Sequence, residues 1–324
     1  AARALARTRV LPALAAATGA VAGQSFQVLT YHRVNDDADP FFPALPTRVF
    51  ERHMAYVASV YRVLTVEELV ERQAERRVPR NALAITFDDG YRDTLTHAAP
   101  ILARHGLPAT VFVTTGCIGT GEIPWFDVLA MALRETPHAG IVAPWGEPIG
   151  LERRAERTRA LERLQRHFKS LPEDRFAPEL DAVLAALGAP EPALFKDWML
   201  SWEDVHALAG LGFSIGAHTI THPILSRLGE RRAWAEIAGS RQAIQAAGQP
   251  APRAFAYPNG GADDYTPAVV RLVERAGFRC AVTTRGGLNG PRTPRLELRR
   301  GGPWEHDDAT FGLKLALARL GRPR

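Results

Sequence analysis

The sequence predicts an α/β protein built on a parallel sheet or barrel, and three observations carry that expectation. Helical stretches repeatedly end at a glycine, and an apolar run follows within a few residues. This happens at Gly106 before Thr110-Val111-Phe112-Val113 and at Gly212 before Phe213-Ser214-Ile215. It recurs at Gly248 before Ala254-Phe255-Ala256 and at Gly277 before Cys280-Ala281-Val282. A glycine just past a helix takes the left-handed conformation that closes it, and helix alternating with strand predicts parallel pairing. The second observation is Leu83-Ala84-Ile85-Thr86-Phe87, a near-continuous apolar run of the kind found where helices cover both faces of a strand. The third is that polar residues follow directly on these runs, at the strand ends where α/β proteins place their chemistry.

Taken in order, Phe26 to Tyr31 reads as a strand leading to His32. Thr47–Val60 and Thr65–Arg76 read as helices, with Tyr61–Leu64 a short strand between them. Thr65-Val66-Glu67-Glu68 has the capping-box pattern of a hydroxyl followed three residues later by a carboxylate. From about 123 to 200 the rhythm breaks. That segment is charged and helical, with Leu161, Leu164 and Phe168 at helical spacing and no strand pattern. It reads as a helical insertion whose apolar stripe is core, placed where loops of such folds shape a substrate groove. Ser201-Trp202-Glu203-Asp204 caps the next helix, and Leu296-Glu297-Leu298 reads as a late strand leading to Arg300. With no repeat, linker or low-complexity stretch, residues 25–324 read as one domain.

Composition sets outer limits. A chain of 324 residues has room for a large core, and no stretch is long enough to span a membrane. The formal charge is +5, but only Lys169, Lys196 and Lys314 among the 40 basic residues are lysines. The remaining arginines are scattered and form no aromatic-basic stripe, so nucleic acid is not the expected partner. Cys117 and Cys280, the only cysteines, lie at apolar runs; they read as buried thiols and point to a cytoplasmic protein. Residues 1–24 read as an alanine-rich helix. The alternative is a signal segment, since arginines precede an apolar run ending in Ala20-Val21-Ala22, and this would make the protein periplasmic or secreted.

The chemistry gathers in two stretches. Asp88-Asp89-Gly90 follows the Leu83–Phe87 run. Adjacent side chains on a regular strand point apart, but a turn at Gly90 lets both carboxylates face one mouth. Alone, Asp-Asp-Gly is an ordinary turn sequence. The second stretch, His218-Thr219-Ile220-Thr221-His222-Pro223, ends another strand with two histidines four apart. That spacing brings imidazoles together on one side of a turn, and Pro223 keeps His222 out of helical dihedrals. Two strand ends offering Asp-Asp and His-x-x-x-His together point to a mixed carboxylate and imidazole metal site.

Thr86-Phe87-Asp88-Asp89-Gly90 and His218-Thr219-Ile220-Thr221-His222 resemble the first two motifs of the polysaccharide deacetylases, the carbohydrate esterases with a NodB-like homology domain. Tyr31-His32-Arg33-Val34, Pro108-Ala109-Thr110-Val111-Phe112-Val113, Phe255-Ala256-Tyr257-Pro258-Asn259-Gly260 and Ala281-Val282-Thr283-Thr284 extend the likeness over roughly residues 26 to 300. The Phe-Ala-Tyr-Pro form resembles the exopolysaccharide-deacetylase branch. The resemblance implies a distorted, incomplete (β/α) barrel with a helical insertion. It also implies a metal-dependent hydrolase that removes N-acetyl groups from a glycan, with metal-bound water as nucleophile.

By the same resemblance Asp89, His218 and His222 are metal ligands, Asp88 is the general base and the Asn259 N–H is an oxyanion donor. Zinc suits the ligand set best, and nickel, cobalt or iron fit the same donor types. The sequence departs from the family in two places. Ala256 stands where many members have an arginine paired with the base, and the Leu-x-His that supplies a general acid is not recognisable near Thr283-Thr284. Candidate replacements are Arg300 for the arginine and His32 for the acid, each set against a structural or solvated role. Tyr257 and Trp304 are candidate substrate-contacting aromatics, with a core role the alternative for Tyr257. Two other readings stay open: a non-catalytic glycan-binding domain, motivated by the missing acid, and an O-acetyl esterase with the same metal site.

Overall fold

The structure is a computed structural model that describes residues 23–188, 197–302 and 305–319. Its centre is a curled, seven-stranded sheet in which every strand pairing is parallel. The strands are β1 (Phe26–Tyr31), β2 (Arg62–Val63), β3 (Ala82–Phe87), β4 (Thr110–Val113), β7 (Ser214–Ala217), β8 (Ala254–Ala256) and β9 (Cys280–Val282), in the order β1-β3-β4-β7-β8-β9 with β2 beside the start of β3. The helices Thr47–Val60 (α1), Val66–Ala74 (α2), Ala99–Arg104 (α3), Trp202–Gly210 (α7), Glu230–Ala246 (α8) and Pro267–Arg275 (α9) connect them. This is the distorted, incomplete barrel expected from the sequence. All four helix-ending glycines do adopt positive φ, and the Thr65 capping box forms as read.

The barrel is incomplete between β9 and β1, and one irregular segment spans that gap. Leu298 forms a single parallel bridge to Val282 of β9, and Gly301 forms one to Leu29 of β1. Leu296-Glu297-Leu298 is therefore not the regular strand the sequence predicts; Pro291 and Pro294 precede it and remove two ladder donors. Its crossing carries Arg300 over the end of the barrel.

The insertion is mostly helical: α4 (Trp125–Glu135), α5 (Arg154–Ser170) and α6 (Glu173–Leu187). Contrary to the sequence reading it also holds a small antiparallel hairpin of β5 (Gly140–Val142) and β6 (Pro148–Gly150). Each of these strands is three residues long and buries one side chain, Ile141 or Ile149, too short a pattern to show period two. Leu161, Leu164 and Phe168 are buried in a core that the insertion largely makes for itself. A last helix, α10 (Asp308–Ala318), packs against α1. The expected N-terminal helix falls, over 1–22, outside the described residues. Both cysteines are buried free thiols, and no described helix is long and apolar enough to cross a membrane.

Candidate metal and acyl-transfer site

Asp88 and Asp89 leave the C-terminal end of β3, and the backbone there is unusual. Asp89 has φ 72° and Gly90 φ 90°. The positive φ at Gly90 is the conformation glycine accepts most readily, and a Cβ there would also press on the terminal methyl of Ile118 at 2.9 Å. The reversal turns the neighbouring carboxylates to different partners at one mouth. Both are buried, 2% exposed.

Asp89 faces the histidines. Its Oδ1 lies 3.5 Å from His218 Nε2 and 3.3 Å from His222 Nε2, and the three ligand atoms all fall within 4.8 Å of one another. Ligands about 2.1 Å from a tetrahedral ion stand roughly 3.4 Å apart, so these spacings fit one divalent ion. Asp89 Oδ1 is buried without a hydrogen-bond partner, an expensive arrangement unless something occupies the centre. His218 Nδ1 lies 2.8 Å from the Ala256 carbonyl, which assigns the ring proton to Nδ1 and leaves Nε2 a lone pair. Burial pushes His222 down to about 4, so its imidazole is neutral near pH 7, the form that ligates metals. Burial works against the Asp89 anion, but the adjacent imidazoles of His218 and His222 favour it and hold the carboxyl below its ordinary range.

The His-x-x-x-His stretch is an irregular turn, as Pro223 predicts, with Thr219 at φ 67° and His222 at φ 59°. Two devices hold it. Thr219 Oγ1 accepts from the His222 N–H at 3.0 Å. Glu236, on α8 and 2% exposed, accepts from the N–H groups of Ile220 and Thr221, both at 2.9 Å, and from Thr221 Oγ1 at 2.8 Å. Sequence reasoning missed Glu236. The available signal is an acid set among Ala233, Ile237, Ser240 and Ile244, which form the buried face of α8.

Asp88 faces the other way, into Arg300. The guanidinium grips it with two bonds, Nη1 to Oδ1 at 2.7 Å and Nη2 to Oδ2 at 2.5 Å, the bidentate geometry that suits arginine. Arg300 is 1% exposed and is itself anchored by Nε to the Thr283 carbonyl at 2.9 Å and Nη1 to Thr86 Oγ1 at 3.2 Å. The solvated alternative for Arg300 is thereby corrected. Burial raises the Asp88 carboxyl, the Arg300 charge more than offsets that, and the net position is below the ordinary value. His32 stands at the outer side of the pair, its Nε2 3.9 Å from Asp88 Oδ2 and its side chain 36% exposed.

Asn259 lies in the turn after β8, at φ 57°, with its carbonyl accepting from Thr284 Oγ1 at 2.6 Å. Its N–H has no acceptor among the described residues. Tyr257 is a correction. It is fully buried, stacked on Tyr265 with ring centroids 4.5 Å apart, and donates its hydroxyl to the Leu296 carbonyl at 3.0 Å. A ring so enclosed is part of the barrel's packing, the core role set as the alternative for it. Trp304 lies outside the described residues.

Residues 75–281 match the family described as Polysaccharide deacetylase. YxkH of Bacillus subtilis (strain 168), whose name places it among the polysaccharide deacetylases, is 32% identical over 94 residues. That stretch is 28% of this chain and about a third (33%) of the length of YxkH. Among solved structures, IcaB from Ammonifex degensii superposes with a TM-score of 0.59 at 20% identity, covering 92% of this chain and 97% of its own. Streptococcus pyogenes deacetylase PplD, in complex with acetate, gives 0.58 at 18% identity, covering 86% and 92%. The BpsB deacetylase domain from Bordetella bronchiseptica gives 0.54 at 18%, covering 86% and 96%. At these identities the likeness is one of fold.

Proposed function

The chain belongs to the polysaccharide deacetylase family, and from that premise we propose that it is a metal-dependent hydrolase removing N-acetyl groups from an N-acetylated sugar or polysaccharide. One observation carries the reading. A carboxylate gripped by a buried arginine, Asp88 with Arg300, stands next to an Asp89, His218 and His222 cluster spaced for a divalent ion.

Asp89 Oδ1, His218 Nε2 and His222 Nε2 would hold the ion, with zinc the best match to the donor set. When bound, such an ion supplies Lewis acidity toward the acyl carbonyl and toward water. The remaining work belongs to the protein. Asp88 takes the proton of the attacking water, and Arg300 fixes the direction of its lone pairs and keeps it anionic without blocking both syn and anti positions. The Asn259 N–H donates to the acyl oxygen as charge develops there, a contribution that grows in a water-poor site. His32, beside Asp88 and open to the mouth, delivers a proton to the departing sugar nitrogen. An amine leaves only once protonated, so this step matters more for amides than for esters. The Ala256 and Leu-x-His departures are in this reading filled by Arg300 and His32.

The test compares acetate release from N-acetylglucosamine oligomers and from O-acetylated sugars by zinc-loaded protein. Loss of a general acid costs about 10²–10⁴-fold, so His32→Asn should lower amide turnover by at least the smaller factor and ester turnover much less. Absence of acetate release from every N-acetylated glycan, with zinc bound, would contradict the proposal.

A further inference from the structure

His32 carries the proton step in the reading above, yet Asp88 does not hold its ring. The 3.9 Å between them is longer than a hydrogen bond. Both chain neighbours of His32 are firmly seated. Tyr31, 3% exposed, packs edge-to-face on Phe50 and stacks on Phe87, with ring centroids 5.1 and 5.6 Å apart, and its carbonyl accepts from the Asp88 N–H at 3.0 Å. On the other side Arg33 turns inward, its side chain 11% exposed.

Three rings enclose the Arg33 guanidinium. Its Cζ lies 4.7 Å from the Trp198 ring centroid, 4.9 Å from that of Tyr91 and 5.7 Å from that of Phe42, within the reach of cation–π attraction. Nε lies 3.4 Å from Asp93 Oδ2, which also accepts from Asn35 Nδ2 at 2.8 Å. Asp127, from α4 of the insertion, accepts from the Tyr91 hydroxyl at 2.5 Å. Burial raises both Asp93 and Asp127, and the Arg33 charge works against that rise on each. An apolar residue could fill this space but would leave two buried carboxylates without that charge.

The frame around Arg33 belongs to the exit of β3. There the Arg92 N–H donates to the Trp198 carbonyl and the Leu200 N–H to the Gly90 carbonyl, both at 2.9 Å. The turn that carries Asp88 and Asp89 is thus tied to the end of the insertion without help from Arg33. What Arg33 adds is a link from the exit of β1, one residue past His32, into that frame.

We propose that Arg33 is a positioning residue. Locked into this frame, it sets His32 against Asp88 so that the imidazole delivers its proton to the departing nitrogen. The inference rests on the deacetylase reading and on the part His32 takes in it. A planar cation stacked among aromatic rings fixes the backbone beside it more narrowly than a flexible ammonium would. Such placement matters, because a displacement of about 1 Å can cost on the order of 10²-fold in rate.

The experiment compares acetate release from N-acetylglucosamine oligomers and from O-acetylated sugars by zinc-loaded Arg33→Met, Arg33→Lys and His32→Asn, and by the double variant of Arg33→Met with His32→Asn. Arg33→Met should lower the amide-to-ester ratio by about 10–100-fold, through kcat and with the zinc Kd unchanged, and Arg33→Lys should lower it less. In the double variant the ratio should fall no further than in His32→Asn, because one residue acts through the other. A loss shared equally by amide and ester, or a further fall in the double variant, would overturn the inference and assign Arg33 to the fold. A crystal structure of either arginine variant needs no turnover: His32 should leave its place beside Asp88, and an unmoved ring would overturn the inference whatever the protein hydrolyses. Full amide turnover in His32→Asn would contradict the proton step itself and the inference with it. A low ratio in His32→Asn beside a normal one in Arg33→Met would overturn the inference alone.

Discussion

Replacing Glu236 tests whether the irregular turn between the two histidines is held from outside the site. In Glu236→Ala the Ile220 and Thr221 N–H groups and the Thr221 hydroxyl lose a buried carboxylate that accepts all three. Hydrogen bonds to a charged group are worth about 1.5–3 kcal/mol each, so the three together put about 4.5–9 kcal/mol of gross interaction on a four-residue turn. Water entering the vacated space recovers part of it. Against this stand Thr219 and His222, whose left-handed backbones cost on the order of 1 kcal/mol each or more. Without the clamp the turn relaxes and metal binding must supply the ordering. Outer partners of metal ligands commonly contribute 10–100-fold in affinity or activity, or about 1.4–2.8 kcal/mol. The assay is zinc affinity by competition with a chelator, alongside acetate release at saturating zinc and the melting temperature of the metal-free protein. Glu236→Ala should raise the zinc Kd by about 10–100-fold, with Glu236→Gln, which keeps one acceptor, in between. A lower melting temperature with an unchanged zinc Kd would refute this reasoning and assign Glu236 to the fold alone.

Three further outcomes follow from named contacts. Arg300→Met strands Asp88 in a buried setting, and breaking such a pair costs about 3–5 kcal/mol; thermal melts should fall by several degrees and acetate release by at least about tenfold. Arg300→Lys keeps the charge but not the fork and should restore stability better than turnover. Tyr257→Phe removes one hydroxyl bonded to a carbonyl, so it should cost about 1 kcal/mol of stability with KM unchanged, whereas a raised KM would return Tyr257 to the substrate site. His53, fully buried and stacked on Phe311 at 3.8 Å between ring centroids, has its pKa pushed down to about 4 by burial. The unfolded chain takes up this proton first. His53 should therefore weigh nothing above about pH 6.5 and weaken the fold as pH falls toward 4, by roughly 3 kcal/mol at the end of that window. Urea melts across that range should show the slope, and His53→Leu should lose it.

The sequence was most informative where local chemistry decides the outcome. Each glycine past a helix required a left-handed backbone, and each marked a real strand, because that requirement depends on no distant partner. The Asp89, His218 and His222 cluster was legible for a similar reason: two short motifs carry all of it, with Asp88 beside Asp89 in the first. The failures are tertiary or too short to see. Arg300 reaches Asp88 across 212 residues, and whether it was gripped or solvated depended on a chain crossing that no periodicity records. Tyr257 sits in a motif at a strand end, yet its ring turned inward to Tyr265 and Leu296. The β5–β6 hairpin buries one isoleucine per strand, which leaves almost no alternation to detect. Glu236 showed only as one acid on an apolar helical face.

The measurement closest to the central claim is acetate release from N-acetylglucosamine oligomers by protein stripped of metal and then reloaded with zinc, beside Asp88→Asn treated in the same way. The account predicts activity in the reloaded protein alone, with both the stripped protein and the reloaded Asp88→Asn variant inactive while that variant still binds zinc through Asp89, His218 and His222. Equal release by stripped and reloaded protein, or full activity in Asp88→Asn, would contradict it.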